Sequence, residues 1–145
     1  MSETQFESFT LPVEVEKVVP HRRPVCLIDR LVEYGESGVA EALISPDNPL
    51  MNDDGVLDHV AYMELIAQTY AAFKGYHDLV NNVGVKKGFL VVVKRMETRG
   101  TARLGDLLKI TVKTVSDVGG FAVAEGVVTR DGNVLASGTI TLWIP

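Results

Sequence analysis

Apolar and polar positions follow two different rhythms along the chain. Over residues 89–98, 107–115, 121–129 and 134–144 the sequence is rich in Val, Ile, Leu and Thr, and these runs are separated by Leu-Gly-Asp, Asp-Val-Gly-Gly and Asp131-Gly132-Asn133. Such separators are turn sequences, so the second half of the chain predicts four strands joined by short turns. In the first half, residues 25–34 and 39–45 form a similar pair around the turn residues Gly35 to Gly38, which predicts a hairpin. Residues 13–19 alternate apolar and charged positions and stop at Pro20; a short helix and a strand both fit, and we favour the helix.

The other rhythm is helical. Residues 46–55 gather Pro, Gly, Asp and Asn into a loop, and residues 56–73 then run without Pro or Gly, with Asp58 and Glu64 as their only formal charges. Gly75 supplies a stop signal. A helix so apolar around its circumference has to be wrapped by other structure. About six strands follow one another without helical crossovers, which implies an antiparallel sheet. An antiparallel sheet curled around one long central helix is an α+β arrangement, the hot-dog architecture, and residues 1–145 read as one such domain.

Composition narrows the function classes. The chain has 145 residues, 46% of them hydrophobic and 23% charged, enough for one domain to bury a core without staples. Its single cysteine, Cys26, rules out an intrachain disulfide and favours a reducing compartment. A net charge of -5 argues against nucleic-acid binding, which needs a basic face. The acidic start, Met-Ser-Glu-Thr-Gln-Phe-Glu, predicts no secretory signal, and the longest aliphatic or aromatic run, 89–93, is too short to cross a bilayer. A cytoplasmic protein away from membranes is the expectation. The charge is also polarised, with net -9 over residues 1–78 and net +4 over residues 79–145.

Two motifs carry chemistry. The segment from Pro20 to Arg30, Pro-His-Arg-Arg-Pro-Val-Cys-Leu-Ile-Asp-Arg, and the pair Gly55-Val56-Leu57 with Glu64-Leu-Ile-Ala67-Gln68, resemble the beta-hydroxyacyl-acyl-carrier-protein dehydratases. The likeness is to a divergent branch associated with aryl-polyene-type lipid pathways. It implies elimination of water from a 3-hydroxyacyl thioester: a histidine takes the proton alpha to the carbonyl, a helix carboxyl assists departure of the hydroxyl, and helix N-terminal amides receive the thioester oxygen. Glu64 falls on the carboxyl position and Gly55 near the amide-donor position. The histidine expected fourteen residues before Glu64 is replaced by Leu50.

Each candidate also has a plainer reading. With Val60, Ala61, Ala67 and Gln68 one turn away, Glu64 should be partly desolvated, which suits a carboxyl to proton transfer; the alternative is a hydrogen bond at a subunit interface. His21 could act as substitute base or fix a turn. His59 lies near the expected thioester pocket but about 140° around an ideal helix from Glu64. His77 reads as a solvated loop residue. Gln68 could orient the Glu64 carboxyl and contribute to substrate binding with Gly55, or be a satisfied buried amide. Asp29 and Arg30 suggest a structural charge pair or backbone bonds, and Cys26 suggests core filling. Asp53 and Asp54 suit a turn better than a metal site, and no cofactor is implied.

Lys86, Lys87, Lys94, Arg95, Arg99 and Arg103 face a single acid, Glu97, over residues 86–103. They suit docking of an acidic acyl carrier protein, or simply a solvated strand face. Three functions compete: a dehydratase or dehydratase subunit, with Glu64 meeting a histidine from elsewhere in the chain or from a partner subunit; a hot-dog thioesterase; and a non-catalytic subunit that binds acyl chains or the carrier protein. Open sheet edges predict a homodimer, or a heterodimer with another hot-dog subunit.

Overall fold

The architecture comes from a computed structural model that describes residues 10–19, 26–82 and 89–144. His21, Lys86 and Lys87, and the rest of the turn from Pro20 to Pro24, lie outside those described residues. In chain order the elements are β1 (Val13–Glu14), a 3-10 turn (Val15–Lys17), β2 (Arg30–Glu33), β3 (Ser37–Leu43), α1 (Val60–Val80), β4 (Phe89–Thr98), β5 (Leu107–Val118), β6 (Phe121–Arg130) and β7 (Asn133–Trp143). Seven strands form one antiparallel sheet in the order β1-β2-β3-β5-β6-β7-β4. Its inner face curls around α1, the hot-dog arrangement.

The four strand runs of the second half appear with their ends shifted by at most three residues. Inward positions such as Leu108, Ile110, Val112, Ala122, Ala124 and Val128 are buried against the helix. Helix and sheet touch closely: Gly126 on β6 lies under Ile66, and a Cβ there would overlap that side chain. The first half departs further from expectation. The favoured helix over 13–19 is instead a two-residue strand and a 3-10 turn, because Val13 and Glu14 pair with Leu31 and Arg30. Of the strand expected over 25–34, only Arg30–Glu33 joins the ladder, while Asp29 is held by Val15 N–H and by Glu41 C=O. The hairpin itself is present as β2 and β3.

The helix is displaced by one turn at its start and extended by two at its end. Val56 pairs with Arg103 and Leu57 with Met51, so these residues belong to a bridge ahead of the helix. Gly75 does not stop it. A Cβ at Gly75 would overlap the Val18 carbonyl oxygen, so this glycine lets α1 press against the 3-10 turn, at an intrinsic helix cost of about 1 kcal/mol relative to alanine. Beyond it, Tyr76 continues the buried strip, with Leu79 and Val80 packed against the core. Termination falls at Asn81, whose N–H bonds His77 C=O, and at Asn82 with φ 56°. His77 is therefore a helical residue, its Nδ1 2.6 Å from the Tyr34 hydroxyl, and not a loop residue.

Candidate active site

The sheet does not cover α1 all round. Val60, Met63, Glu64 and Ala67 follow the i, i+3, i+4, i+7 spacing of one helix face, and Val60 is 50% exposed. Val60, Met63 and Glu64 of that face line an open cavity of about 340 Å³, whose other walls are Leu27, Pro49 and Leu50. Five apolar side chains surround one carboxylate. Among the described residues lining it there is no histidine, and Leu50 occupies the wall where the resemblance expects one.

The carboxylate is held in place. Gln68, one turn along and 2% exposed, donates from Nε2 to Glu64 Oε1 at 2.9 Å. Its Oε1 in turn accepts the Leu27 backbone N–H at 2.6 Å. The Leu27 donor fixes which way the amide points, so Nε2 has to face Glu64. A buried amide braced by the irregular segment ahead of β2 thus presents an N–H to the carboxylate and holds it at the cavity wall.

The other candidates sit elsewhere. His59 stacks on Tyr62 with ring centroids 5.7 Å apart, and its Nε2 lies 3.3 Å from Thr101 Oγ1, away from the cavity lining. Gly55 is in a turn five residues before the helix, with its N–H bonded to Asn52 C=O at 3.1 Å. It is therefore not a helix N-terminal donor. The start of α1 is capped by Asp58, whose Oδ1 accepts the Val60 N–H at 2.9 Å. His21 lies outside the described residues. Asp29 Oδ2 accepts the Leu43 N–H at 2.7 Å, Arg30 pairs with Glu41 at 3.0 Å, and buried Cys26 directs Sγ at Ile28 C=O. Lys94, Arg95, Arg99 and Arg103 are all exposed; Arg95 has φ 55° inside a bulge of β4, which breaks the strand's alternation of faces.

Leu27 and Tyr62 were not singled out by the sequence. Leu27 acts through its backbone, which leaves no signature in the side-chain pattern. The Val60, Met63, Glu64, Ala67 spacing was visible, but its reading as an open strip depends on where the sheet ends.

A family model described as ApeP-like, ApeP dehydratase, matches residues 13–145. The chain belongs to the ApeP-like dehydratase family. Curated relatives include the 3-hydroxyacyl-[acyl-carrier-protein] dehydratases FabZ of Streptococcus agalactiae and Oceanobacillus iheyensis. The first is 32% identical over 136 residues, spanning 90% of this chain and 95% of the relative. The second is 30% identical over 137 residues, spanning 90% and 96%. Among solved structures, the dehydratase heterocomplex ApeI:P from Xenorhabdus doucetiae contains a chain of the same fold, with TM-score 0.86 and 22% identity over 92% of this chain and 91% of that one. A hypothetical thioesterase protein with coenzyme A from Streptococcus pneumoniae shares the fold at TM-score 0.61 and 16% identity, covering 79% and 86%. Family membership is thus a dehydratase one, and the thioesterase likeness is confined to the fold.

Proposed function

We propose that this chain is the carboxyl-bearing subunit of a 3-hydroxyacyl thioester dehydratase in lipid biosynthesis, and that its catalytic base is a histidine of a partner hot-dog subunit. The supporting observation is the cavity: one carboxylate, oriented by buried Gln68, in an apolar recess whose described lining has no histidine. In elimination, the partner imidazole removes the proton alpha to the thioester carbonyl. The Glu64 carboxyl gives its proton to the beta hydroxyl, which leaves as water while the electron pair from the broken C–H bond becomes the new C=C bond. The imidazolium then loses its proton and the carboxylate regains one, which resets the pair. Gln68 holds the carboxyl during this exchange, and Val60 and Met63 shelter the acyl chain from water. An acyl carrier protein is the substrate's carrier in this reading, as the names of the FabZ relatives indicate for them.

Pairing with a second subunit also suits the sheet. β4 is an edge strand, and Leu90, Val91 and Val92 on it are 37%, 51% and 36% exposed. The test is dehydration of a 3-hydroxyacyl carrier protein, followed by mass spectrometry for loss of one water. Turnover is expected when the chain is paired with a histidine-bearing hot-dog subunit and not with the chain alone. Full turnover by the chain alone overturns the partner-histidine reading, and release of free carrier thiol without an enoyl product overturns the dehydratase reading.

A further inference from the structure

The wall of the Glu64 cavity opposite the helix is an irregular segment, so something other than a sheet ladder has to fix it. Tyr62 lies on α1 two residues before Glu64 and, at 100° per residue, on nearly the opposite face. It is fully buried. Its hydroxyl accepts the Ala102 N–H at 2.9 Å and donates to the Gly100 carbonyl at 2.9 Å. Burial pushes this phenol above its ordinary range, outweighing the Ala102 hydrogen bond and the Arg130 charge, so it stays a neutral O–H able to do both at once.

Residues 99–104 lie outside the sheet's strands, and their backbone groups are taken up one by one. Arg99 and Gly100 N–H both reach Leu135 C=O, and Arg130 Nη1 donates to Thr101 C=O and to Asp106 Oδ2, each at 2.8 Å. Asp106 Oδ2 also accepts the Arg103 N–H. From this strut three contacts reach residues 55–57, the bridge ahead of the helix. Leu57 N–H bonds Ala102 C=O at 2.9 Å, Leu104 N–H bonds Gly55 C=O at 3.0 Å, and Val56 bridges Arg103. The next residue, Asp58, bonds Leu50 C=O at 2.8 Å. A continuous path therefore runs from the Tyr62 hydroxyl through Ala102, Leu57 and Asp58 to Leu50, and it links the helix that carries Glu64 to the Leu50 wall across the cavity.

We propose that Tyr62 is a positioning residue of this active site: its hydroxyl ties the strut to the helix that carries Glu64, and so fixes the Leu50 wall relative to the carboxyl. The inference rests on Glu64 being the reacting carboxyl. A tyrosine two turns further along the same helix supplies the control. Tyr70 is equally buried and its hydroxyl bonds Thr114 Oγ1 on β5 at 2.8 Å, with no connection to the cavity wall.

The experiment compares Tyr62→Phe with Tyr70→Phe in the complex with the histidine-bearing subunit, reading amide hydrogen exchange at Leu57, Asp58 and Leu104 alongside kcat and KM. Tyr62→Phe loses two hydrogen bonds of its hydroxyl and Tyr70→Phe loses one, so both should melt at lower temperature, Tyr62→Phe by more. Only Tyr62→Phe is expected to speed exchange at those three amides and to lower kcat by about tenfold or more, as small misplacements of reacting groups do, with KM moving much less. Arg130→Gln, which frees Thr101 C=O without touching the helix, should speed the same exchange. Wild-type exchange at all three amides in both variants overturns the proposal, as does equal loss of kcat in Tyr62→Phe and Tyr70→Phe. An inactive wild-type complex with unaltered strut behaviour overturns the assigned reaction instead, because the exchange readout needs no turnover.

Discussion

Replacing Gln68 by leucine tests the hydrogen-bonded core of the site. The side chains have similar size, but the substitution removes both the acceptor for Leu27 N–H at 2.6 Å and the donor to Glu64 at 2.9 Å. Leu27 is 3% exposed, so its N–H cannot turn to water, and an orphaned buried donor costs about 1–3 kcal/mol. Glu64 is half-buried and opens on the cavity, so solvent replaces the lost donor there and little further stability is lost. For a chain of this length that range corresponds to a fall in Tm of about 3–10 °C, measurable by scanning calorimetry. In the active complex the loosened carboxyl should lower kcat by about ten- to a hundredfold. Glu64→Gln is the matched comparison: its amide oxygen can still accept from Gln68, so its Tm should stay near that of the wild type. If Gln68→Leu melts within 1 °C of wild type (~0.3 kcal/mol) and turns over at the wild-type rate, the brace does not exist as described.

Three further outcomes follow from the fold. Gly75→Ala places a methyl against the Val18 carbonyl and should destabilise the domain by about 1–3 kcal/mol despite alanine's better helix propensity; a rise in Tm would contradict that packing. Burial pushes the Asp106 carboxyl up, but the Arg103 N–H and the Arg130 guanidinium together hold it below its ordinary value of 3.8. The stability it contributes is therefore complete above that ordinary value and is lost as pH falls through the depressed one, so between about pH 5 and pH 2 wild type should lose more Tm than Asp106→Asn. The exposed β4 edge predicts association, and a monomer mass by light scattering at low micromolar concentration would contradict it.

The sequence made the sheet more legible than the helix. Between β4 and β7 the turn residues are short and chemically distinct, so strand ends could be read to within three residues, and all-antiparallel pairing followed from consecutive strands. The helix boundaries failed for two separate reasons. Val56 and Leu57 have the composition of a helix start, but each finds a bridge partner, Arg103 and Met51, that only tertiary structure supplies. Gly75 has the composition of a stop, whereas its role is to admit the Val18 backbone. In the site, the i, i+4 spacing of Glu64 and Gln68 made their hydrogen bond readable, and the position of Leu50 marked the missing histidine. The strut of residues 99–104 was invisible, because its own backbone groups make the contacts, and most partners are distant in sequence: Tyr62 in the helix, Arg130 on β6 and Leu135 on β7. His59 shows the limit of proximity in sequence: near the cavity by count, it is turned to Thr101 by helix geometry.

In the proposed reaction Glu64 is the proton donor to the departing hydroxyl. Single-turnover dehydration of a 3-hydroxyacyl carrier protein, by the wild-type chain and by Glu64→Gln, each paired with the same histidine-bearing subunit, isolates that step from product release. Removing a general acid costs about a hundred- to ten-thousandfold, so the Glu64→Gln complex should form normally, melt near wild type and lose at least a hundredfold in rate. An intact Glu64→Gln complex that eliminates water within threefold of the wild-type rate (~0.65 kcal/mol) would contradict the assignment.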